Sequence, residues 1–90
     1  MQKNLTLKIY GEVQGVGYRN EAYWVARKLH VAGFVMNEPD GTVYIEVEGE
    51  SEDLDKFVAW CRKGPVTAKV DNVEISELSA HGKFTGFRIV

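Results

Sequence analysis

Ninety residues with a hydrophobic fraction of 44% and a charged fraction of 27% suffice for one domain around a single modest core. The net charge of −2 comes from 13 acidic and 11 basic residues that are interspersed, and no basic run exceeds a pair such as Arg27-Lys28 or Arg62-Lys63, which argues against a long polyanion as partner. No apolar run approaches the roughly 18–20 residues of a membrane span, Met1-Gln2-Lys3-Asn4 carries no signal-peptide core, and Cys61 has no partner for a disulfide, so a cytoplasmic protein is expected.

The first element is a strand over residues 5–13, with Leu5, Leu7, Ile9 and Val13 on one face and Gly11 in phase between them. A glycine-containing loop, 14–19, leads into a helix over 20–31. Asn20 serves as its expected N-cap, and Ala22, Val25, Ala26 and Leu29 form its apolar stripe. Gly33 is expected to end that pattern. A short strand at 34–37 meets the turn sequence Glu38-Pro39-Asp40-Gly41, and the returning strand, 42–48, alternates with Val43, Ile45 and Val47 inward.

Ser51 is expected to cap a second helix, with Glu52 and Asp53 at its favourable dipole end and Leu54, Phe57, Val58 and Cys61 as its buried stripe. Gly64-Pro65 stops it. Strands at 69–78 and around 84–89 complete the chain. One-sided strands and two amphipathic helices in this order predict an α+β fold: a ferredoxin-like βαββαβ sandwich over residues 1–90 as a single domain. Its sheet is mostly antiparallel, both helices lie on one face, and an extra short strand is C-terminal. In that topology the first two strands run the same way, so loop 14–19 and Asn37 become spatial neighbours.

Chemistry concentrates in that loop. Gly15 and Gly17 allow positive φ, so that successive amides of the loop can converge on one point as an anion-binding nest. Arg19 brings a permanent charge and a planar donor fork suited to phosphate oxygens, at a helix start where an unpaired cation opposes the macrodipole. Asn37, read from its own surroundings, is first a turn residue that tolerates αL backbone. His30 and His81 stand in no metal-ligand spacing with Cys, Asp or Glu, so neither a metal nor a cofactor is expected. The aromatics Tyr10 and Tyr44 alternate with Lys8, Glu46 and Glu48 and form no basic stacking platform, which disfavours nucleic acid.

Two separated blocks make the chain resemble an acylphosphatase across nearly its whole length. Gly11-x-Val13-Gln14-Gly15-Val16-x-Tyr18-Arg19 is similar to the family's first signature, and Gly33-Phe34-Val35-Met36-Asn37 followed by Gly41-Thr42-Val43 and Gly49 to its second. Gly64-Pro65 and the terminal Phe87-Arg88-Ile89 also match. Tyr18 departs from the pattern, since the family more usually carries Phe there; its hydroxyl needs a partner, and little loss of activity is expected. The resemblance implies metal-independent hydrolysis of acyl phosphates to a carboxylate and inorganic phosphate. The amides of Gly15 to Arg19 and the Arg19 guanidinium would hold the phosphoryl oxygens. Asn37 would orient the attacking water, with Thr42 helping to orient Asn37. Inorganic phosphate is then both product and inhibitor, the acyl phosphate is the only partner, and a monomer is expected. Two rival readings stay open at this level: a domain of the same fold that binds an anion without turning it over, and a nucleic-acid-binding module.

Overall fold

The computed structural model describes residues 1–90. Strand β1 (Gln2–Glu12) buries alternate residues, with Leu7 and Ile9 fully enclosed, and it sits in the sheet interior because both of its edges are paired. It pairs antiparallel with β3 (Val43–Glu50) in a register that sets Leu5 opposite Val47, Leu7 opposite Ile45 and Ile9 opposite Val43. Apolar pairs of this kind are the unit of sheet stabilisation, and a one-residue slip would turn all of them to the wrong face. β4 (Lys69–Leu78) pairs antiparallel with the other edge of β1, β2 (Ala32–Asn37) pairs antiparallel with β3, and β5 (Phe87–Ile89) adds in parallel to β2. The order is β4-β1-β3-β2-β5.

Two helices cover one face. α1 (Tyr18–Lys28) contributes Tyr18, Ala22 and Ala26 to the core, and α2 (Ser51–Lys63) contributes Leu54, Phe57 and Cys61. The small alanines of α1 let its backbone approach the sheet, whereas Phe57 fills the space between α2 and β5 by packing edge-on against Phe87 at 5.9 Å. The opposite sheet face carries polar side chains, and the segment 79–86 is tied across part of it. There the Glu48 carboxylate accepts hydrogen bonds from the main-chain amides of His81 (2.9 Å) and Gly82 (2.7 Å) and from Asn4 Nδ2 (3.1 Å). This is the expected ferredoxin-like α+β arrangement. Because β1 and β2 are both antiparallel to β3, they run parallel to each other and end at the same edge of the sheet.

Several local expectations are corrected. α1 begins at Tyr18 rather than residue 20; its N-cap is Gly17, at φ 83°, and Asn20 is an exposed residue within the first turn. Burial of the Tyr18 ring draws the helix start forward, and the left-handed conformation that Gly17 adopts allows the loop to enter it. α1 stops at Lys28, with His30 at φ 57° reversing the chain. Gly33 is therefore not the helix stop but a strand residue; at φ 145° a Cβ there would lie 1.9 Å from the Glu46 carbonyl oxygen, so only glycine permits this approach. Ser51 is the first residue of α2 and not its cap; its hydroxyl donates to the Met1 carbonyl at 3.0 Å.

Candidate active site

The parallel course of β1 and β2 delivers their C-terminal ends to one cavity of about 170 Å³. Its walls are Val13, Gly15, Gly17, Tyr18, Arg19 and Asn20 from the loop and the start of α1, Asn37 from the end of β2, and Ile89 from β5. At about 30 Å³ per water molecule, such a space holds a tetrahedral oxyanion together with a water. Arg19 is the one charged residue among those lining it, and no carboxylate shares the wall.

Gly15 and Gly17 adopt φ of 73° and 83°, the left-handed region that costs an L side chain about 1–2 kcal/mol. A Cβ at either position would meet nothing within 4 Å, so glycine is needed here for conformation and not for room. Arg19, in the first turn of α1, enters no ion pair with any acidic residue. Its guanidinium makes one long contact, Nη1 donating to the Val90 main-chain oxygen at 3.4 Å. A cation at the positive end of a helix dipole, with no acidic side chain paired to it, makes a strong local field for an anion. Asn37 Oδ1 is sealed from solvent and receives no hydrogen bond from the protein. An acceptor left so costs about 1–3 kcal/mol, and such orphans mark sites built for a water or ligand.

Two expected residues, Val16 and Thr42, are not among those lining the cavity, and Thr42 is engaged in the turn that follows Asn37. Its hydroxyl donates to Asp40 Oδ1 at 2.6 Å, its amide donates to the same oxygen at 3.0 Å, and it makes no hydrogen bond to Asn37. Those two bonds and the Lys8 ammonium 3.0 Å away hold the Asp40 carboxyl well below the usual carboxylate range. The product is a rigid turn after Asn37, closed by Glu38 N donating to Thr42 O at 2.9 Å and Gly41 N donating to Glu38 O at 3.1 Å.

Side chains to which the sequence assigned no role complete the frame. Gln14 Nε2 donates to the Glu38 carbonyl (2.8 Å) and the Thr42 carbonyl (2.9 Å), fastening the glycine loop to the turn that follows Asn37. Thr67 Oγ1 donates to the Val16 carbonyl at 2.6 Å from the far side of the loop. Tyr18, only 1% exposed, donates its hydroxyl to the Cys61 carbonyl at 2.7 Å, which supplies the partner its departure from Phe demanded. Burial, joined by the neighbouring Cys61 thiol, pushes the pKa of the Tyr18 hydroxyl well up, so it stays a neutral donor. Cys61 is itself enclosed, and burial pushes its thiol up to about 12; it is core, not nucleophile. The only sequence signal for Gln14 was its place within the first block; for Thr67 there was none.

The sequence and the fold have close counterparts. The profile of the acylphosphatase family matches residues 5–89. The acylphosphatase of Methylococcus capsulatus is 40% identical over 88 residues, spanning 98% of this chain and 96% of its own length. That of Thermococcus kodakarensis is 44% identical over 84 residues, spanning 93% and 91%. The crystal structure of acylphosphatase from Bacillus subtilis superimposes with a TM-score of 0.94 at 33% identity, over 100% of this chain and 99% of the other.

Proposed function

Because the chain belongs to the acylphosphatase family, and so hydrolyses the carboxyl-phosphate bond of acyl phosphates, we propose that its 15–19 loop holds the phosphoryl group and Asn37 places the water. The observation that carries these roles is the single cavity in which Gly15, Gly17, Tyr18, Arg19 and Asn37 converge from two sheet strands, with Arg19 its sole charge. The phosphoryl oxygens lie against the amides of Gly15, Val16, Gly17, Tyr18 and Arg19, and the Arg19 fork stabilises the charge that spreads over them in the transition state. The Asn37 amide holds a water in line with the bond to the acyl oxygen, which converts a bimolecular encounter into a positioned one. Water oxygen bonds to phosphorus, the bond to the acyl oxygen breaks, and its electron pair leaves with the carboxylate. The water's proton passes to a non-bridging phosphoryl oxygen. A carboxylate is a weak base, so its departure needs no general acid.

Inorganic phosphate, as product, occupies the same loop and inhibits competitively. No group of three or more His, Cys, Asp or Glu side chains is gathered to hold a metal ion, and Arg19 with the amides supplies the charge stabilisation instead. In this reading residues 1–90 act as one domain and as a monomer. No helix is long and apolar enough to cross a membrane; a reducing cytoplasm suits the buried, unpaired Cys61.

Hydrolysis of benzoyl phosphate in EDTA tests the division of labour. Arg19→Ala loses on the order of 10²–10³ or more in rate together with inhibition by phosphate. Asn37→Ala loses a comparable factor in kcat and keeps competitive inhibition. An Arg19→Ala protein with wild-type turnover refutes the assignment.

A further inference from the structure

We propose that Thr67 is a positioning residue for the phosphate loop, acting by fixing the Val16–Gly17 peptide so that the Gly17 amide faces the phosphoryl group. The inference rests on the reading that this loop binds phosphate. Thr67 owes its place to the end of α2: Gly64, at φ 68°, redirects the chain, and Pro65 opens a turn closed by Ala68 N donating to Pro65 O at 3.0 Å. The turn presents the Thr67 hydroxyl to the outside of the loop, where it donates to the Val16 carbonyl at 2.6 Å.

A trans peptide is planar, with its C=O and N–H pointing in opposite directions. Gly15 and Gly17 line the cavity, whereas Val16 and Thr67 do not. A Val16 carbonyl held outward by Thr67 therefore commits the Gly17 N–H inward. The commitment needs an outside agent because Gly17 lacks a Cβ and opposes rotation of this peptide only weakly. The rotated form would aim a carbonyl oxygen at the phosphoryl oxygens and bind them poorly. Any population of that form lowers apparent affinity by the fraction of molecules it occupies. The hydroxyl lies in an exposed bond on an exposed residue, so its removal perturbs the loop's orientation and not the core.

The test compares Thr67→Val, which keeps the branched shape and deletes the donor, with Thr67→Ser, which restores it. For Thr67→Val the inhibition constant for inorganic phosphate and the KM for benzoyl phosphate both rise by about 3–10-fold, the worth of one hydrogen bond. Meanwhile kcat stays within about twofold and the thermal midpoint does not move; Thr67→Ser behaves as wild type. Wild-type phosphate inhibition and KM in Thr67→Val overturns the proposal, as does failure of Thr67→Ser to rescue or an effect confined to kcat. Arg19→Ala, measured alongside, separates the two levels. Phosphate inhibition that survives in Arg19→Ala defeats the reading of the loop itself. Its loss there, with an unaffected Thr67→Val, defeats the Thr67 proposal alone.

Discussion

Replacing Tyr18 by Phe, the residue more usual at this position in the family, should separate stability from catalysis. The hydroxyl sits 2.7 Å from the Cys61 carbonyl, and Tyr18 and Cys61 are 1% and 0% exposed. That carbonyl belongs to the last turn of α2, where the helix itself provides no donor. Deleting the hydroxyl leaves the acceptor buried and unpaired, and the gap is about one oxygen atom wide, too small to admit a water in its place. The net cost is about 1–2 kcal/mol, below the full penalty for an orphaned carbonyl because the hydroxyl no longer has to be desolvated. For a domain of this size each kcal/mol lowers the unfolding midpoint by about 4–8 °C, so a fall of about 4–16 °C is expected. The ring keeps its contacts, with Trp60 at a centroid distance of 5.1 Å and Gly64 beneath it. The loop works through main-chain amides, which the substitution leaves in place, so kcat and KM for benzoyl phosphate at 25 °C should stay within about twofold. Thermal unfolding followed by circular dichroism gives the first number and single-wavelength hydrolysis the second. Cys61 offers a third readout: its thiol is enclosed and protonated, so labelling reports molecules in which the end of α2 has opened, and Tyr18→Phe should accelerate it. An unchanged midpoint, or an order-of-magnitude fall in kcat in folded protein, would refute the reasoning.

Gln14→Met removes both donors that join the glycine loop to the turn after Asn37 while keeping the side chain's length. It should lower kcat by about 10-fold or more through looser water placement, and a kcat equal to wild type in steady-state assays would show that the tie is dispensable. Glu48 supplies the pH dependence. Burial alone would raise its pKa, but the amides of His81, Gly82 and Asn4 outweigh burial and hold it below its ordinary 4.5. Its stabilising share is therefore complete above that ordinary value and is lost as pH falls through the lower folded value. Glu48→Gln should unfold at lower urea than wild type near about pH 7, by about 1 kcal/mol, and the difference should shrink near about pH 3. A gap that persists undiminished in acid would place the effect in packing and not in charge.

What can be read from the sequence is what repeats locally. Alternation in β1 and β3 and the stripe of α2 are decided by which neighbours share a face, so their assignment needs no tertiary knowledge, and the ferredoxin-like arrangement followed from one-sided strands and amphipathic helices in this element order. The candidate site was half legible for the same reason: Gly15, Gly17 and Arg19 are contiguous, and their chemistry is visible in one loop. Asn37 was ambiguous on its own, because the turn that follows it is reason enough for an Asn. Only the parallel course of β1 and β2 brings it to Arg19, and only the resemblance suggested its task.

Helix boundaries failed where packing outranked propensity. Asn20 is the better cap by composition, yet the buried Tyr18 ring and its bond to Cys61 carry the helix start past it to Gly17. The ties that give the loop its shape were invisible for a simpler reason. Gln14 and Thr67 donate to main-chain carbonyls of Glu38, Thr42 and Val16, and every residue owns such a carbonyl, so no side chain announces the partner. The sequence by itself determined the fold, the family and the anion-seeking loop, because those depend on periodicity and on contiguous residues. The tertiary structure alone decided which way the loop's peptides face, because that is set by distant donors meeting backbone groups that sequence does not distinguish.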